Sequence, residues 1–349
     1  MATPRYSKVD PSVTAYYHCV SRCVRRAFLC GKDVESGRDY EHRKQWLIDK
    51  INFLTSYFSI QILSYAIMDN HYHIDIYINV AEAQSWSDEE VLIRWKHIFP
   101  KSSERAEMFF LSLEDKQKRA TLLRERLMDL SWFMRCLNQG IAELANVEDA
   151  CTGRFWEERF KSQALLDYGA VVASMVYIDL NPIRAKIADT PEESEYTSVQ
   201  ERIIAMKEHI EAKMTVAESS SEIDAKTFQD LCDEAPQPIQ LMPFDNERYF
   251  DDLFFPTIPM CLSDYLTLVD VTGRIIREDK AGAIPDNLLP ILDRLNLSEK
   301  GWTMLVKNIN KKFFNAVGSC RAMYDFSKHF HKKSPKGIKL SKLCYLSAA

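Results

Sequence analysis

The run Ala66 to Asn79, A-I-M-D-N-H-Y-H-I-D-I-Y-I-N, constrains the fold more tightly than any other stretch of the chain. From His71 onward it alternates, with His71, His73, Asp75 and Tyr77 on one face of a strand and Tyr72, Ile74, Ile76 and Ile78 on the other. One face is suited to burial and the other to chemistry. The preceding residues, Ile60 to Met68, are strand-like as well, and Asp69-Asn70 suits a tight two-residue turn, so the segment predicts a β-hairpin. Side chains two residues apart on one face stand roughly 7 Å apart, close enough for two neutral imidazoles to converge on one divalent ion. Two ligands do not make a site, so a third must come from elsewhere.

A chain of 349 residues with 46% hydrophobic content can build one large or two ordinary domains around a real core. No apolar run reaches the length of a membrane span, and the start M-A-T-P-R-Y-S-K lacks a signal-peptide core, so a soluble, cytoplasmic protein is expected. Nine cysteines, an odd number without a regular framework, suit a reducing compartment. Cys19, Cys23 and Cys30 beside His18 invite a zinc reading, but their spacing matches no strong template and ordinary buried thiols are the simpler expectation. The net charge of -5 hides a division along the chain. Residues 191 to 260 hold 5 basic and 16 acidic side chains, whereas 261 to 349 hold 15 basic and 8 acidic. That pattern is an acidic connector followed by a basic end, which is either a solvated terminus or a surface for phosphates.

Taken in order, Ala15 to Arg22 reads as a first strand, with Tyr17, Cys19 and Ser21 alternating against Tyr16, His18 and Val20. Glu41 to Ser56 carries apolar residues at helical spacing and leads into the hairpin. Ser87 to Phe99 and Lys116 to Asn146 read as helices, with the polar stretch Pro100 to Glu107 as an insertion or loop within a helical insertion around 96 to 120. Phe160 to Leu165 reads as a fourth strand, and Tyr168 to Asn181 as a helix stopped by Asn181-Pro182. Tyr177 and Asn181, four apart, then share a face. This order favours an α+β fold with about four antiparallel strands backed by helices. The first domain is expected to end near 190, an acidic helical connector to run from 191 to 260, and a mainly helical extension to follow, with helices over Ile284 to Leu295 and Gly301 to Val317.

The pieces Y-H-C-V-S-R, M-D-N-H-Y-H-I, G-R-F-W-E-E-R-F-K-S-Q and Y-I-D-L-N-P-I-R-A occur in this order over roughly residues 10 to 200. In that combination the chain resembles the REP-associated tyrosine transposases, single-tyrosine members of the HUH endonuclease superfamily. The segment Y-L-T-L-V-D-V-T-G-R with A-G-A-I-P is similar to the extension of longer members. The resemblance implies a ferredoxin-like antiparallel sheet with helices on one face. It places the metal-binding histidine pair on His71 and His73, the nucleophile on Tyr177 and the third metal ligand on Asn181, where many relatives carry glutamine. The cofactor it implies is a divalent metal, Mg²⁺ or Mn²⁺. The implied partner is single-stranded DNA carrying a hairpin repeat, with no membrane, for a protein acting as monomer or homodimer, cytoplasmic and nucleoid-associated when bound.

The chemistry explains the grouping. A phosphodiester repels nucleophiles and has a poor leaving group, and a bound divalent cation draws charge from its non-bridging oxygens. Attack by a phenol leaves a 5′-phosphotyrosine and a free 3′-hydroxyl with the bond energy retained, so cleavage and rejoining become one reversible reaction. A phenol has an ordinary pKa near ~10 and must lose its proton as it attacks. Asp75, on the histidine face, is a candidate to orient an imidazole. Arg22, Arg159 and Lys161 are candidate phosphate contacts, Trp156 with Phe155 a candidate stacking platform, and the basic extension a candidate holder of the duplex stem. Two other readings share these features. One is a catalytically inactive, domesticated DNA-binding or regulatory protein, and the other a replication initiator or relaxase.

Overall fold

The computed structural model describes residues 8–24, 30–32, 37–107, 112–216, 225–236, 238, 240–245, 256–276, 289–332 and 334–346. Strand β1, Tyr16–Arg22, is followed by helix α1, Arg43–Thr55, and by the hairpin β2, Ile60–Ile67, and β3, His71–Ile78. The connection out of β3 is entirely helical: α2, Val80–Ser85; α3, Asp88–Ile98; α4, Pro100–Glu107; α5, Leu113–Leu127; and α6, Leu130–Glu148. Strand β4, Lys161–Leu165, then leads into α7, Tyr168–Asp179, and the short α8, Asn181–Arg184. After these come α9, Ser198–Val216, and α10, Ala225–Asp233. The later residues form α11, Leu262–Ile276; α12, Leu289–Arg294; α13, Glu299–Lys312; strand β5, Ala316–Val317; α14, Cys320–His329; and α15, Ile338–Cys344.

The sheet order is β2-β3-β1-β4-β5, antiparallel except for the β4–β5 pair. The first four strands thus form the ferredoxin-like arrangement, an α+β fold, with α1 and α6 packed together on one face. On that face Leu47, Ile51 and Leu54 of α1 meet Phe133, Leu137 and Ile141 of α6, all buried. The polar atoms there are paired with each other: Tyr72 donates to the Asn138 side-chain oxygen at 2.7 Å, and the Asn138 amide donates to Ser21 at 3.0 Å. The buried Arg43 guanidinium ties the start of α1 to the end of α6 through Glu148 at 2.6 Å and Asp149 at 2.5 Å.

The opposite face, which carries the histidines, is covered by α7. Every residue of α7 is buried, because α13 and α11 pack over its outer side. A helix that is apolar all round belongs inside a core rather than on a surface. Val172, Met175 and Val176 are thus buried together with the residues on the other side of the helix.

Several sequence-based boundaries shift, each for a local reason. The helix expected over Lys116 to Asn146 divides at Met128-Asp129, where the Asp129 carboxylate accepts from the Trp132 N–H at 2.8 Å and starts a new helix. Pro100 to Glu107 is helix, not loop, since proline is well placed in a first turn. Helix α7 stops at Asp179, and Asn181 opens α8 ahead of Pro182. Instead of continuing to Val317, α13 ends at Lys312, and Ala316–Val317 joins the sheet: the Ala164 and Leu166 N–H groups donate to Asn315 and Val317 carbonyls at 2.8 and 2.9 Å. The A-G-A-I-P segment and the first part of the expected Ile284 to Leu295 helix lie outside the described residues. No helix of the described residues is long and apolar enough to cross a membrane.

The extension beyond residue 261 therefore shares the core of the first domain. Its placement depends on Gly301, where an added Cβ would fall on the Cys344 carbonyl oxygen of the neighbouring α15 segment. Gly301→Ala is expected to lower stability by about 1–3 kcal/mol through overpacking, read as a lower thermal midpoint. An unchanged midpoint would show that α13 and α15 are not in this close contact.

Candidate active site

The hairpin turn brings the two histidines out of the sheet with their rings already partnered. Met68 donates its N–H to the His71 carbonyl at 2.9 Å, closing the turn over Asp69-Asn70. The Asn70 side-chain oxygen lies 2.6 Å from His71 Nδ1. A carboxamide oxygen can only accept, so His71 carries its proton on Nδ1 and leaves the Nε2 lone pair open.

Beside β3 runs β1, in a register that sets Val20 opposite His73, Arg22 opposite His71 and His18 opposite Asp75. His18 consequently shares the histidine face. Its Nε2 lies 2.9 Å from His73 Nδ1, and the two rings stack with centroids 5.2 Å apart. On the other side of β1, Gln163 of β4 pairs in register with His18, and its amide donates to the Ile309 and Phe314 carbonyls at 3.4 and 3.3 Å. Burial pushes His18 down to about 4 against the opposing pull of Gln163. Burial, with Arg22 close by, also brings His71 down to about 4. His73, 1% exposed, is held well below the usual imidazole range by burial and by its neighbours His18 and His71. All three rings are therefore neutral at neutral pH, the form in which an imidazole can ligate a metal.

Tyr177 comes from α7 onto this same face. Its ring sits edge-on to His73 with centroids 5.6 Å apart, and to His18 at 6.1 Å. The Arg184 guanidinium, one helix later, lies 4.8 Å from the Tyr177 ring centre. Asn310 of α13 donates to the phenol oxygen at 3.2 Å. Asn181 folds back, its amide donating to the Tyr177 carbonyl at 3.1 Å, which leaves its side-chain oxygen for another partner. Among the described residues no group of three His, Cys, Asp or Glu side chains is arranged to hold a metal ion. A metal here would rest on two imidazoles and an amide oxygen, and the neutral rings with engaged Nδ1 atoms suit that donor set.

No family model matches this chain, and no curated protein matches it. A solved structure of a REP-associated tyrosine transposase bound to a REP hairpin is similar at a TM-score of 0.36 and 11% identity, covering 58% of this chain and 86% of that one.

The other expected site residues divide in two groups. Arg22, Arg159 and Lys161 line one cleft of about 480 Å³ with His18, Lys311 and Phe314, and Lys161 pairs with Glu158 at 2.9 Å. Trp156 lies apart from that cleft. Its indole N–H donates to the Asn138 carbonyl at 2.7 Å, and its ring meets Tyr72 on the α1/α6 face. Asp75 is buried on the histidine face but takes its hydrogen bond from Ser174 at 2.9 Å, with Ser64 at 3.4 Å; the side chain paired with His73 is His18. The cysteines form no cluster with His18, because Cys19 and His18 are consecutive on a strand and point to opposite faces. Burial pushes the Cys23 thiol up to about 12.

Sequence reasoning did not single out the roles of His18, Arg184, Asn310 and Gln163. The alternation of β1 carried a signal for His18, but only the pairing of β1 with β3 makes it a neighbour of His73. Because His18 and His71 lie below their ordinary 6.5 when folded, their contribution to stability is full above pH 6.5 and is lost as the pH falls towards about 4. In chelator-treated protein, nitrogen NMR should show both rings titrating near 4. Titration near 6.5 would mean that the site is open to water.

Proposed function

We propose that the chain is a divalent-metal-dependent single-strand DNA endonuclease and strand transferase that acts at hairpin-forming repeats through a 5′-phosphotyrosine. The observation that carries this reading is the Tyr177 phenol beside the buried, neutral His73, whose ring meets that of the half-buried His71, with the Arg184 cation against the Tyr177 ring. His71, His73 and Asn181 would hold Mg²⁺ or Mn²⁺. When bound, that ion supplies charge withdrawal from the scissile phosphate.

The chain's own residues account for the remaining steps. The Tyr177 oxygen forms a bond to phosphorus as the bond from phosphorus to the 3′-oxygen breaks, and the phenol proton ends on the departing 3′-hydroxyl. Arg184 supplies a fixed positive charge near the ring as negative charge develops on its oxygen. His18 holds the ring of His73 in place through the Nδ1 contact. Burial of these groups keeps water from competing with the returning 3′-hydroxyl, so the phosphotyrosine can be passed to a DNA end. Tyr177 stands edge-on to His73 of its own chain, an arrangement suited to cleavage within a single subunit. The place of action is the cytoplasm, at the nucleoid.

The cleft beside His18 supplies a path for the strand. Arg22, Arg159, Lys161 and Lys311 offer charge to successive phosphates, and Phe314, 55% exposed, takes the stacking role expected of Trp156. The Lys311→Gln and Lys161→Gln double variant should lower the slope of affinity against salt by about 2, one for each phosphate contact removed. An unchanged slope would place the DNA elsewhere.

Incubation with single-stranded hairpin DNA and Mn²⁺ followed by a denaturing gel tests the chemistry. Wild type should give a covalent protein–DNA band, and Tyr177→Phe none while keeping hairpin affinity within about threefold. Persistence of the band in that variant would refute the assignment. Absence of any band from the wild type would favour the inert DNA-binding reading.

A further inference from the structure

We infer that Asn310, carried by the C-terminal extension, is a positioning residue that holds the Tyr177 hydroxyl for attack. This inference rests on the reading of Tyr177 as nucleophile. The two residues are 133 positions apart in the chain and meet because α13 packs along α7. The end of α13 is fixed over the site by contacts on both sides of Asn310, since Gln163 donates to the carbonyls of Ile309 and Phe314. Its first turn is fixed by the buried Trp302, whose indole donates to Thr272 of α11 at 2.9 Å. Asn310 itself is exposed, in the wall of the cleft that His18 and Arg22 also line, and its amide reaches the phenol oxygen at 3.2 Å.

That placement gives it a specific task. Rotation about the Tyr177 side-chain bonds would carry its oxygen away from the imidazoles, and a reacting atom displaced by about 1 Å can cost roughly a hundredfold in rate. Arg184 lies against the ring and Asn310 holds the tip, so ring plane and oxygen are both determined before DNA arrives. Because Asn310 donates, the phenol oxygen accepts, and the phenol's own proton is not spent on this bond. The extension thus supplies part of the active centre as well as basic surface for phosphates. Its carrier helix joins the core, while the residue that touches the nucleophile contributes little to that core.

The test uses the full chain with Asn310→Leu, which keeps the volume but cannot donate, and Asn310→Gln, which retains a donor. Because the position is exposed, neither change opens a cavity. Asn310→Leu should slow single-turnover adduct formation at saturating hairpin roughly ten- to a hundredfold, with hairpin affinity within about threefold. Asn310→Gln should recover a large part of the rate. Independently of activity, tyrosine labelled at the carbon bearing the hydroxyl should show one NMR signal, absent in Tyr177→Phe, that shifts in Asn310→Leu. A wild-type rate or an unshifted Tyr177 signal in Asn310→Leu overturns this inference alone. An adduct that survives Tyr177→Phe overturns the proposed function, and this inference with it.

Discussion

The pairing register of β1 against β3 and β4 is the constraint on which the site depends. A strand alternates strictly, so a slip of one residue would move His18 to the α1/α6 face and send Cys19 among the imidazoles. In the observed register His18 lies across from Asp75 and Gln163, within hydrogen-bonding distance of His73, with Arg22 opposite His71. The register is specified from the far face. There Tyr17, Cys19, Tyr72, Ile74 and Ile76 are buried without exception, and a slip would carry His18, His73 or Asp75 into that apolar layer away from their hydrogen-bond partners.

Two layers of very different chemistry therefore sit on one sheet. The α1/α6 side is apolar, with a small closed network of Tyr72, Asn138 and Ser21. The α7 side carries buried polar groups that would be costly if unpaired, and most are paired with one another: His18 with His73, Asp75 with Ser174, Asp179 with Ser198 and Tyr265. Such networks favour one conformation over near alternatives, as a site needing fixed geometry requires. Asp179 and Tyr265 also bind α7 to α11, so the later helices stabilise the helix that bears Tyr177.

The extension changes the meaning of α7. Without α11 and α13 it would be a surface helix with an apolar outer side exposed to water; with them it is a core helix whose Tyr177 oxygen meets a side chain from α13. Strand β5 adds a second attachment at the sheet edge next to β4. This edge would otherwise present unpaired backbone groups, and covering it fixes the loop 313–315, including the exposed Phe314, beside the cleft.

Local pattern determined much of this arrangement. The period-two alternation of His71 to Ile78, the turn at Asp69-Asn70, the apolar spacing of α1 and α6, and the helical reading of the Tyr177 segment all reflect neighbours in the chain, which residue chemistry encodes directly. The sheet with the helix layer on one face could be reached from element order. What only the tertiary structure decided were the contacts between elements. These include β1 beside β3, which makes His18 the partner of His73; Trp156 turned towards Tyr72 rather than the cleft; and Ala316–Val317 drawn from an expected helix into the sheet. The physical reason is that periodicity fixes which face a side chain occupies but not which strand or helix lies opposite. Asn310 shows the limit most clearly, since nothing in an exposed asparagine near a helix end specifies a tyrosine 133 residues away.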